Sequence, residues 1–125
     1  MDNRLYTSMR HAMRGLHTVF VTEANFRMQL IFGLAALAGV IVFPLQKMET
    51  IVVFMLIAFV LTLEVVNSAL ERFLDVLKPR LSYQVEAVKD MLAGAVLVGS
   101  FFSLIIGMLI FLPHITVMII ELIRK

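Results

Sequence analysis

The sequence predicts an all-α membrane protein with three transmembrane helices and an N-terminal amphipathic surface helix. Its 125 residues are 61% hydrophobic and 16% charged, whereas soluble domains average ~45–50% apolar and ~25% charged residues. The few charges leave three long apolar runs, each suited to a helix that spans a membrane. The composition also excludes a disordered chain. The length predicts one domain that covers residues 1–125.

The predicted spans cover about residues 28–46, 50–70 and 91–112. The first has 19 residues without a charge, enough to cross a hydrocarbon core of ~30 Å. The second is uncharged only as far as Leu63, so a helix of spanning length must carry Glu64 in or near the membrane. After the third span, Pro113 predicts an interfacial tail. Small residues in the first and third spans predict close helix packing, namely Gly33, Ala36, Gly39, Gly94 and Gly99.

The segment before the first span predicts a helix over about residues 3–24. Its apolar residues recur at helical spacing, as at Leu5, Met9, Leu16 and Phe20, while arginine and histidine occupy the other side. We therefore expect this helix to lie on the membrane surface. The alternative is a helix packed inside the bundle.

The distribution of lysine and arginine predicts the orientation of the chain. Eight of these residues flank the N-terminus and the loop after the second span, and three flank the opposite side. Because positive charges favour the cytoplasmic side, we expect the N-terminus in the cytoplasm and the C-terminus outside. The net charge is only +2, which gives no reason to expect a nucleic-acid partner.

A polar stripe marks the cytoplasmic end of the second span. At ~100° per residue its members fall within an arc ~100° wide, and they are Glu64, Asn67, Ser68, Glu71 and Asp75. Charge at membrane depth is costly and usually functional. Carboxylate and amide oxygens also suit a hard divalent cation. For Glu71 and Asp75 the alternative is a solvated helix end, with both side chains among the lipid headgroups.

Other charged residues at the same interface could complete a phosphate site. Glu23 lies at the end of the surface helix, and Lys89 and Asp90 precede the third span. A lysine beside cation-binding carboxylates suits phosphoryl transfer, which depends on charge neutralisation and positioning. The alternative for Lys89 is an interfacial anchor. The sequence contains no P-loop, no G-x-G-x-x-G and no H-E-x-x-H motif, and no cysteine, so any nucleotide site here has another architecture.

Two segments resemble the small prokaryotic diacylglycerol kinase family, which includes undecaprenol kinase. They are Glu64-x-x-Asn67-Ser68-Ala69-x-Glu71-x-x-x-Asp75 and Lys89-Asp90-x-x-Ala93-Gly94-Ala95-Val96. Upstream, Gly15-Leu16 and Glu23-Ala24-x-Phe26-Arg27 also match. The resemblance implies a homotrimeric bundle in the bacterial cytoplasmic membrane, with active sites at subunit interfaces. It further implies Mg²⁺-dependent transfer of phosphate from ATP to a lipid hydroxyl.

The resemblance also implies roles for individual residues. Glu64 matches the catalytic base, and Glu23 and Glu71 match the metal-binding carboxylates. The residues implied in ATP binding are Arg4, His11, Glu23, Asn67, Glu71, Lys89 and Asp90, with His11 in place of a family tyrosine. The residues implied in lipid binding are Glu64, Ala93 and Arg27. The segment 78–83 departs from the family pattern, so no nucleotide contact is carried over to it.

The resemblance favours undecaprenol over diacylglycerol as the lipid. The run Lys89-Asp90-x-x-Ala93-Gly94-Ala95-Val96 is similar to the undecaprenol kinase branch, whereas the diacylglycerol branch has K-D-x-G-S-A-A-V. The alternative of another class is a non-enzymatic oligomer, such as a holin-like pore former or a regulatory membrane protein. That alternative explains the three spans but not acidic groups gathered with a lysine at one interface.

Overall fold

Four helices make up the computed structural model, which describes residues 2–77 and 82–124. They are α1 (Asp2–Thr22), α2 (Ala24–Val42), α3 (Lys47–Leu77) and α4 (Ser82–Ile123). No strand occurs in these two ranges. By length and composition α2, α3 and α4 can each cross a membrane. The predicted all-α class with three spans and a separate N-terminal helix is therefore confirmed.

A single extended residue separates α1 from α2. Glu23 has φ −102° and ψ 112°, and α2 begins immediately after it. The predicted surface helix therefore ends at Thr22 instead of residue 24, and the first membrane helix begins four residues earlier than predicted. Most of the apolar face of α1 remains exposed, as at Leu5 and Met9, whereas Val19 near its end is buried. An exposed apolar face suits contact with a membrane surface.

The connection from α2 to α3 explains why α2 is shorter than predicted at its C-terminal end. Pro44 disfavours helical backbone at the preceding residue, and Phe43 is extended, with φ −96° and ψ 144°. The backbone N–H of Phe43 still donates to Gly39 O at 2.9 Å. At the start of α3, the Glu49 carboxylate accepts the backbone N–H of Gln46 at 2.8 Å. The span predicted over 28–46 thus becomes a helix that ends at Val42.

The helices that contain the other two predicted spans extend beyond them at both ends. The span predicted over 50–70 lies within the 31-residue α3, and the span over 91–112 lies within the 42-residue α4. The segment predicted as an interfacial tail after Leu112 is helical, because α4 continues through Pro113 as far as Ile123. Pro113 removes one backbone donor, but the helix retains local bonds around it. Thr116 Oγ1 donates to Pro113 O at 2.7 Å, and His114 Nδ1 lies 2.9 Å from Ile110 O.

The long helix α3 lies between α2 and α4 and packs against both. Small residues allow this approach, as predicted for three of the glycines. A Cβ atom at Gly33 would lie 3.1 Å from Ile57, and one at Gly99 would lie 2.6 Å from Leu63. Gly39 faces Phe111 in the same way, at 2.7 Å. Gly94 does not, because a Cβ there would have no atom of the described residues within 4 Å.

Candidate active site

The most deeply buried charged side chain among the described residues is Glu64, near the middle of α3. It is only 2% exposed. Its carboxylate oxygen Oε2 accepts a hydrogen bond of 3.2 Å from Nε2 of Gln29 on α2. Ser68, one turn further along α3, donates instead to the backbone oxygen of Glu64 at 2.9 Å. One amide therefore orients a carboxylate that is almost fully enclosed by the chain.

The next turn of the polar stripe provides two more oxygen-bearing side chains. Asn67 Nδ2 donates to Glu71 Oε1 at 2.9 Å. The other amide atom, Asn67 Oδ1, is buried and has no hydrogen-bond partner among residues 2–77 and 82–124. An unpaired buried carbonyl oxygen is costly, and a cation is one partner that would satisfy it. The helical face thus orders an amide and a carboxylate side by side, with Glu71 half-buried.

The junction between α1 and α2 brings Glu23 to the same region. Its Oε1 atom accepts a hydrogen bond of 3.1 Å from the Thr22 hydroxyl and lies 3.5 Å from Arg72 Nη2 on α3. Arg72 also donates to the Thr22 hydroxyl. Arg72 follows Glu71 directly on α3, so its contact with Glu23 places the α1–α2 junction beside the turn of α3 that carries Glu71. The structure therefore brings Glu23 to the turn of α3 that carries Glu71, two turns beyond Glu64, and Glu23 and Glu71 form the acidic cluster.

Arg27, predicted to contact the lipid, makes its contacts with the end of the surface helix. Its Nη1 atom donates to the backbone oxygens of Phe20 and Val21, both at 3.0 Å. Cations favour the C-terminal end of a helix, where backbone oxygens lack partners. In this arrangement Arg27 holds the end of α1 against the start of α2, and so helps to position Glu23.

Lys89 connects α4 to the polar stripe through an ion pair. Its Nζ atom donates to Asp75 Oδ1, with the two side chains 28% and 56% exposed. The end of the polar stripe on α3 is therefore not fully solvated, because one of its carboxylates is paired with a cation from another helix. Because the pair is exposed to solvent, it contributes little to stability. Its effect is to place a cation on α4 beside the acidic face of α3.

The remaining predicted site residues lie on α1 and α4, away from Glu64. Arg4 and His11 are exposed on α1, ~28 Å and ~18 Å along the helix from Glu23 at ~1.5 Å per residue. Asp90 and Ala93 are exposed on α4, close after Lys89. These four side chains face the outside of the described chain. The segment 78–83, to which no nucleotide contact is carried over, lies mainly outside the described residues, since residues 78–81 are not among them.

The acidic cluster and Asn67 offer oxygen atoms of the kind that divalent cations prefer. Within the described ranges, no group of three or more His, Cys, Asp or Glu side chains could hold a metal ion alone. Magnesium commonly takes only one or two protein carboxylates and completes its shell with water and substrate phosphates. Glu71, the unpaired Oδ1 of Asn67 and Glu23 are oxygen donors of the appropriate kind.

Sequence reasoning missed Gln29, the partner of Glu64. The available signal was a strongly polar amide in the first apolar run, two residues after Arg27. Nothing in the sequence indicates that this amide meets a residue 35 positions later. Gln29 also lies on the wall of a cavity between the three membrane helices.

Comparison with known proteins gives consistent matches over most of the chain. The prokaryotic diacylglycerol kinase family matches residues 10–111. Undecaprenol kinase of Bacillus subtilis (strain 168) is 37% identical over 111 residues, 89% of this chain and 90% of that protein. A diacylglycerol kinase of Synechocystis sp. is 30% identical over 110 residues, 87% of this chain and 63% of that protein. No solved structure matches the chain.

Proposed function

The chain belongs to the prokaryotic diacylglycerol kinase family, and we propose that it phosphorylates undecaprenol to undecaprenyl phosphate. It is a membrane lipid kinase that uses ATP as the phosphoryl donor. The observation that carries the proposed mechanism is the buried Glu64 carboxylate on the same face of α3 as Glu71, with Glu23 held beside that helix by Arg72. A carboxylate with only a structural role at this depth would not require other acidic side chains nearby. A phosphoryl-transfer site does require them, to hold its metal ion.

Undecaprenol is supported by the relative from Bacillus subtilis, which is similar over nearly its full length. The local sequence Ala93-Gly94-Ala95 supports the same lipid, because it lacks a hydroxyl that could bond a glycerol backbone. The second candidate is diacylglycerol, since the relative from Synechocystis carries that name. Apolar grooves discriminate weakly between lipids, so some phosphorylation of diacylglycerol accompanies the main activity.

In the proposed reaction Glu64 is the general base. Its carboxylate takes the proton from the lipid hydroxyl while the hydroxyl oxygen forms a bond to the γ-phosphorus of ATP. The bond between the γ-phosphorus and the β–γ bridging oxygen breaks, and ADP leaves. The products are the lipid phosphate, ADP and the proton held by Glu64. Proton transfer to a positioned base contributes ~10²–10⁴-fold to such rates.

Glu23, Asn67 and Glu71 hold the metal in this proposal. Mg²⁺ bound there would neutralise charge on the phosphates during transfer. Glu71 is held by Asn67, and Glu23 is held by Thr22 and Arg72. These contacts restrict the side-chain rotamers before substrate arrives, which lowers the entropic cost of assembling the site.

We further propose a homotrimer whose subunits share active sites. Arg4, His11, Asp90 and Ala93 are implied in binding but are exposed on the outside of the described chain. A neighbouring copy could bring such residues to the acidic cluster. We also propose that residues 1–125 form one domain in the bacterial cytoplasmic membrane. Its N-terminus and acidic cluster face the cytoplasm, where ATP is present, and its C-terminus lies outside.

The test is phosphate transfer by the purified protein in lipid bilayers. With γ-labelled ATP and Mg²⁺, we expect label in undecaprenol, and a higher kcat/KM for undecaprenol than for diacylglycerol at equal mole fraction. A higher value for diacylglycerol would refute the lipid assignment and leave the lipid kinase activity standing. ATP hydrolysis without label in any lipid would refute the acceptor class.

A further inference from the structure

The end of the bundle opposite the acidic cluster contains a histidine that lies between two oxygen atoms. This residue, His114, follows Pro113 on α4, and its Nδ1 atom lies 2.9 Å from Ile110 O on the same helix. Its Nε2 atom lies 3.6 Å from Oε2 of Glu49, near the start of α3. The His114 and Glu49 side chains are only 18% and 28% exposed, so the contact between them is partly shielded from water.

The two oxygen atoms beside the His114 ring accept hydrogen bonds and cannot donate them. A neutral imidazole ring has one N–H group and therefore donates to only one of the two oxygens. The 2.9 Å distance to Ile110 O assigns that N–H to Nδ1, so the bare Nε2 atom faces the Glu49 carboxylate. A protonated ring has an N–H group on both nitrogens, so it satisfies both contacts and also attracts the carboxylate.

The contact with Glu49 is made where α4 has lost part of its own backbone bonding. Pro113 has no backbone N–H, so the helix lacks one hydrogen bond at this point. Beyond it, the side chains of residues 116–123 are all exposed. Glu49 is held in place, because its Oε2 atom also accepts the backbone N–H of Gln46 at 2.8 Å. His114 therefore connects the last turns of α4 to a fixed carboxylate on α3.

We propose that His114 and Glu49 form a proton-dependent clasp that holds α4 against α3 beyond Pro113. The clasp is closed when the ring is protonated. When the ring loses its proton, the two side chains separate and the last turns of α4 are released. The cavity between the membrane helices reaches this level, where its lining includes Phe43 and Ile115. Release of α4 therefore opens this end of the cavity.

The charged groups around the ring are few. On α3 they are Glu49 and Lys47, of which Lys47 is exposed. The end of α2 and the segment that leads to α3 contribute none, since no titratable residue lies between Arg27 and Lys47. On α4 the nearest titratable residue is Glu121, which is exposed and lies two turns beyond His114. Among the described residues, Glu49 is therefore the carboxylate that faces the ring.

The pH dependence of the clasp has a definite sign. Histidine ordinarily changes its charge between about pH 5 and pH 8. Because the closed clasp requires the protonated ring, its contribution to stability is present at acidic pH and is lost as the pH rises through this interval. In the proposed orientation this end of the bundle faces the outside, so the clasp responds to external pH. It goes beyond the proposed kinase activity and does not depend on it.

The first experiment is a double-mutant cycle on equilibrium unfolding in detergent micelles, at about pH 5.5 and about pH 8. Glu49→Gln removes the charge but keeps an oxygen that can accept the Gln46 N–H, and His114→Gln removes the titratable ring. At the lower pH we expect the pair to be coupled by about threefold to fivefold in the ratio of folded to unfolded protein, the range of a partly exposed ion pair. At the higher pH we expect no coupling.

Two further variants are controls for this cycle. His114→Lys keeps a cation at both pH values, so its coupling to Glu49 should not depend on pH. His17→Gln removes an exposed histidine of α1 and should leave the coupling between His114 and Glu49 as it is in the wild type. Equal coupling at both pH values, or none at either, overturns the proposal. An effect that disappears with EDTA also overturns it, because a metal ion would then join the two side chains.

Nitrogen NMR of the ring tests the same contact in the wild-type protein, with His114→Gln used only to assign the signal. The ¹⁵N shifts distinguish the protonated ring and the two neutral tautomers. We expect the proton on Nδ1 at about pH 8 and protons on both nitrogens at about pH 5.5. A proton on Nε2 at the higher pH overturns the proposal, because the neutral ring would then donate to Glu49 and keep the clasp closed.

Release of α4 can be measured with single cysteines, since the chain has none of its own. Ile115 is half-buried and Leu122 is exposed, so the rate of thiol modification of Ile115→Cys is divided by that of Leu122→Cys at each pH. We expect this ratio to rise about threefold to fivefold from acidic to neutral pH, and to stay constant when His114→Lys is also present. A constant ratio with His114 in place would show that α4 is not released and would overturn the proposal.

Discussion

Arg72 reaches from α3 to the junction of α1 and α2, where its Nη2 atom lies 3.5 Å from Oε1 of Glu23. The same nitrogen donates to the Thr22 hydroxyl. One guanidinium therefore connects the end of the surface helix to the membrane helix that carries the proposed base. The Arg72 and Glu23 side chains are 47% and 30% exposed. The pair therefore adds little to stability, and its main effect is to align α1 and α2 with α3.

Replacement of Arg72 tests this alignment. We expect Arg72→Gln to lower kcat/KM for ATP several-fold, because Glu23 loses the charge that holds it, while thermal stability changes by less than ~1 kcal/mol. Arg72→Lys keeps the charge but not the fork of donors, so an intermediate value is expected. Steady-state kinetics with ATP varied at saturating lipid measures the effect. Wild-type kinetics for Arg72→Gln would show that Glu23 needs no such support.

Replacement of Glu71 tests the proposed metal ligands. In Glu71→Gln the side-chain oxygen can still accept the hydrogen bond from Asn67 Nδ2, so we expect the fold to be retained. The negative charge is lost, so most of the activity should disappear, with a higher Mg²⁺ concentration needed for half-maximal rate. Kinetics over a Mg²⁺ series and a thermal unfolding curve on the same preparation check both parts. Wild-type turnover at limiting Mg²⁺ would remove Glu71 from the ligand set.

Replacement of Glu64 tests the proposed base. Glu64→Asp retains the charge but shortens the side chain, and Glu64→Gln retains the length but removes the charge. Both should lower kcat by at least ~10²-fold, the lower range for a positioned base. The KM for ATP should change little, because Glu64 is not proposed to touch the nucleotide.

A structural role for Glu64 predicts a different pattern from these variants. If the carboxylate only pairs with Gln29 or with another subunit, the variants should lose oligomeric mass in detergent and keep turnover per intact oligomer. Measuring kcat, ATP affinity and oligomer survival on the same preparations separates the two roles. Normal turnover in intact Glu64→Gln protein would exclude Glu64 as the base.

The close approach of α4 to α3 predicts a stability effect at Gly99. A Cβ there would lie 2.6 Å from Leu63 and 3.2 Å from Phe59. We therefore expect Gly99→Val to destabilise the folded chain by ~1–3 kcal/mol, as for overpacked cores. Gly107→Ala on the same helix is the control, because its new methyl group would enter open space. Thermal unfolding in detergent compares them, and equal midpoints would contradict the packing described here.

The orientation can be tested with single cysteines, because the chain has none of its own. A membrane-impermeant thiol reagent added to intact cells should label cysteines at Lys47 and Arg124, but not at Thr7 or Tyr83. The reason is the excess of lysine and arginine beside the last two positions. Permeabilised cells provide the control for reactivity at all four sites. Labelling at Tyr83 in intact cells would place the acidic cluster on the side that lacks ATP.

The class of the protein and the location of its acidic face followed from local patterns. Length and hydropathy determined three membrane helices, because a bilayer requires each span to satisfy its own backbone hydrogen bonds. Helical periodicity alone placed Glu64, Asn67 and Glu71 on one face of a helix. Beyond the last predicted span, α4 continues through Pro113 to Ile123. A proline removes one hydrogen bond from a long membrane helix, and that loss does not end it.

Only the tertiary structure decided which residues meet across helices. The bond from Gln29 to Glu64 joins residues 35 positions apart, and the contact from Arg72 to Glu23 joins residues 49 positions apart. Such pairs depend on the crossing of helices and on the rotation of each helix about its axis, which packing at Gly33 and Gly99 determines. The sequence contains the groups that make these contacts. Their distances, and the cavity that Gln29 lines, exist only once α2, α3 and α4 have packed.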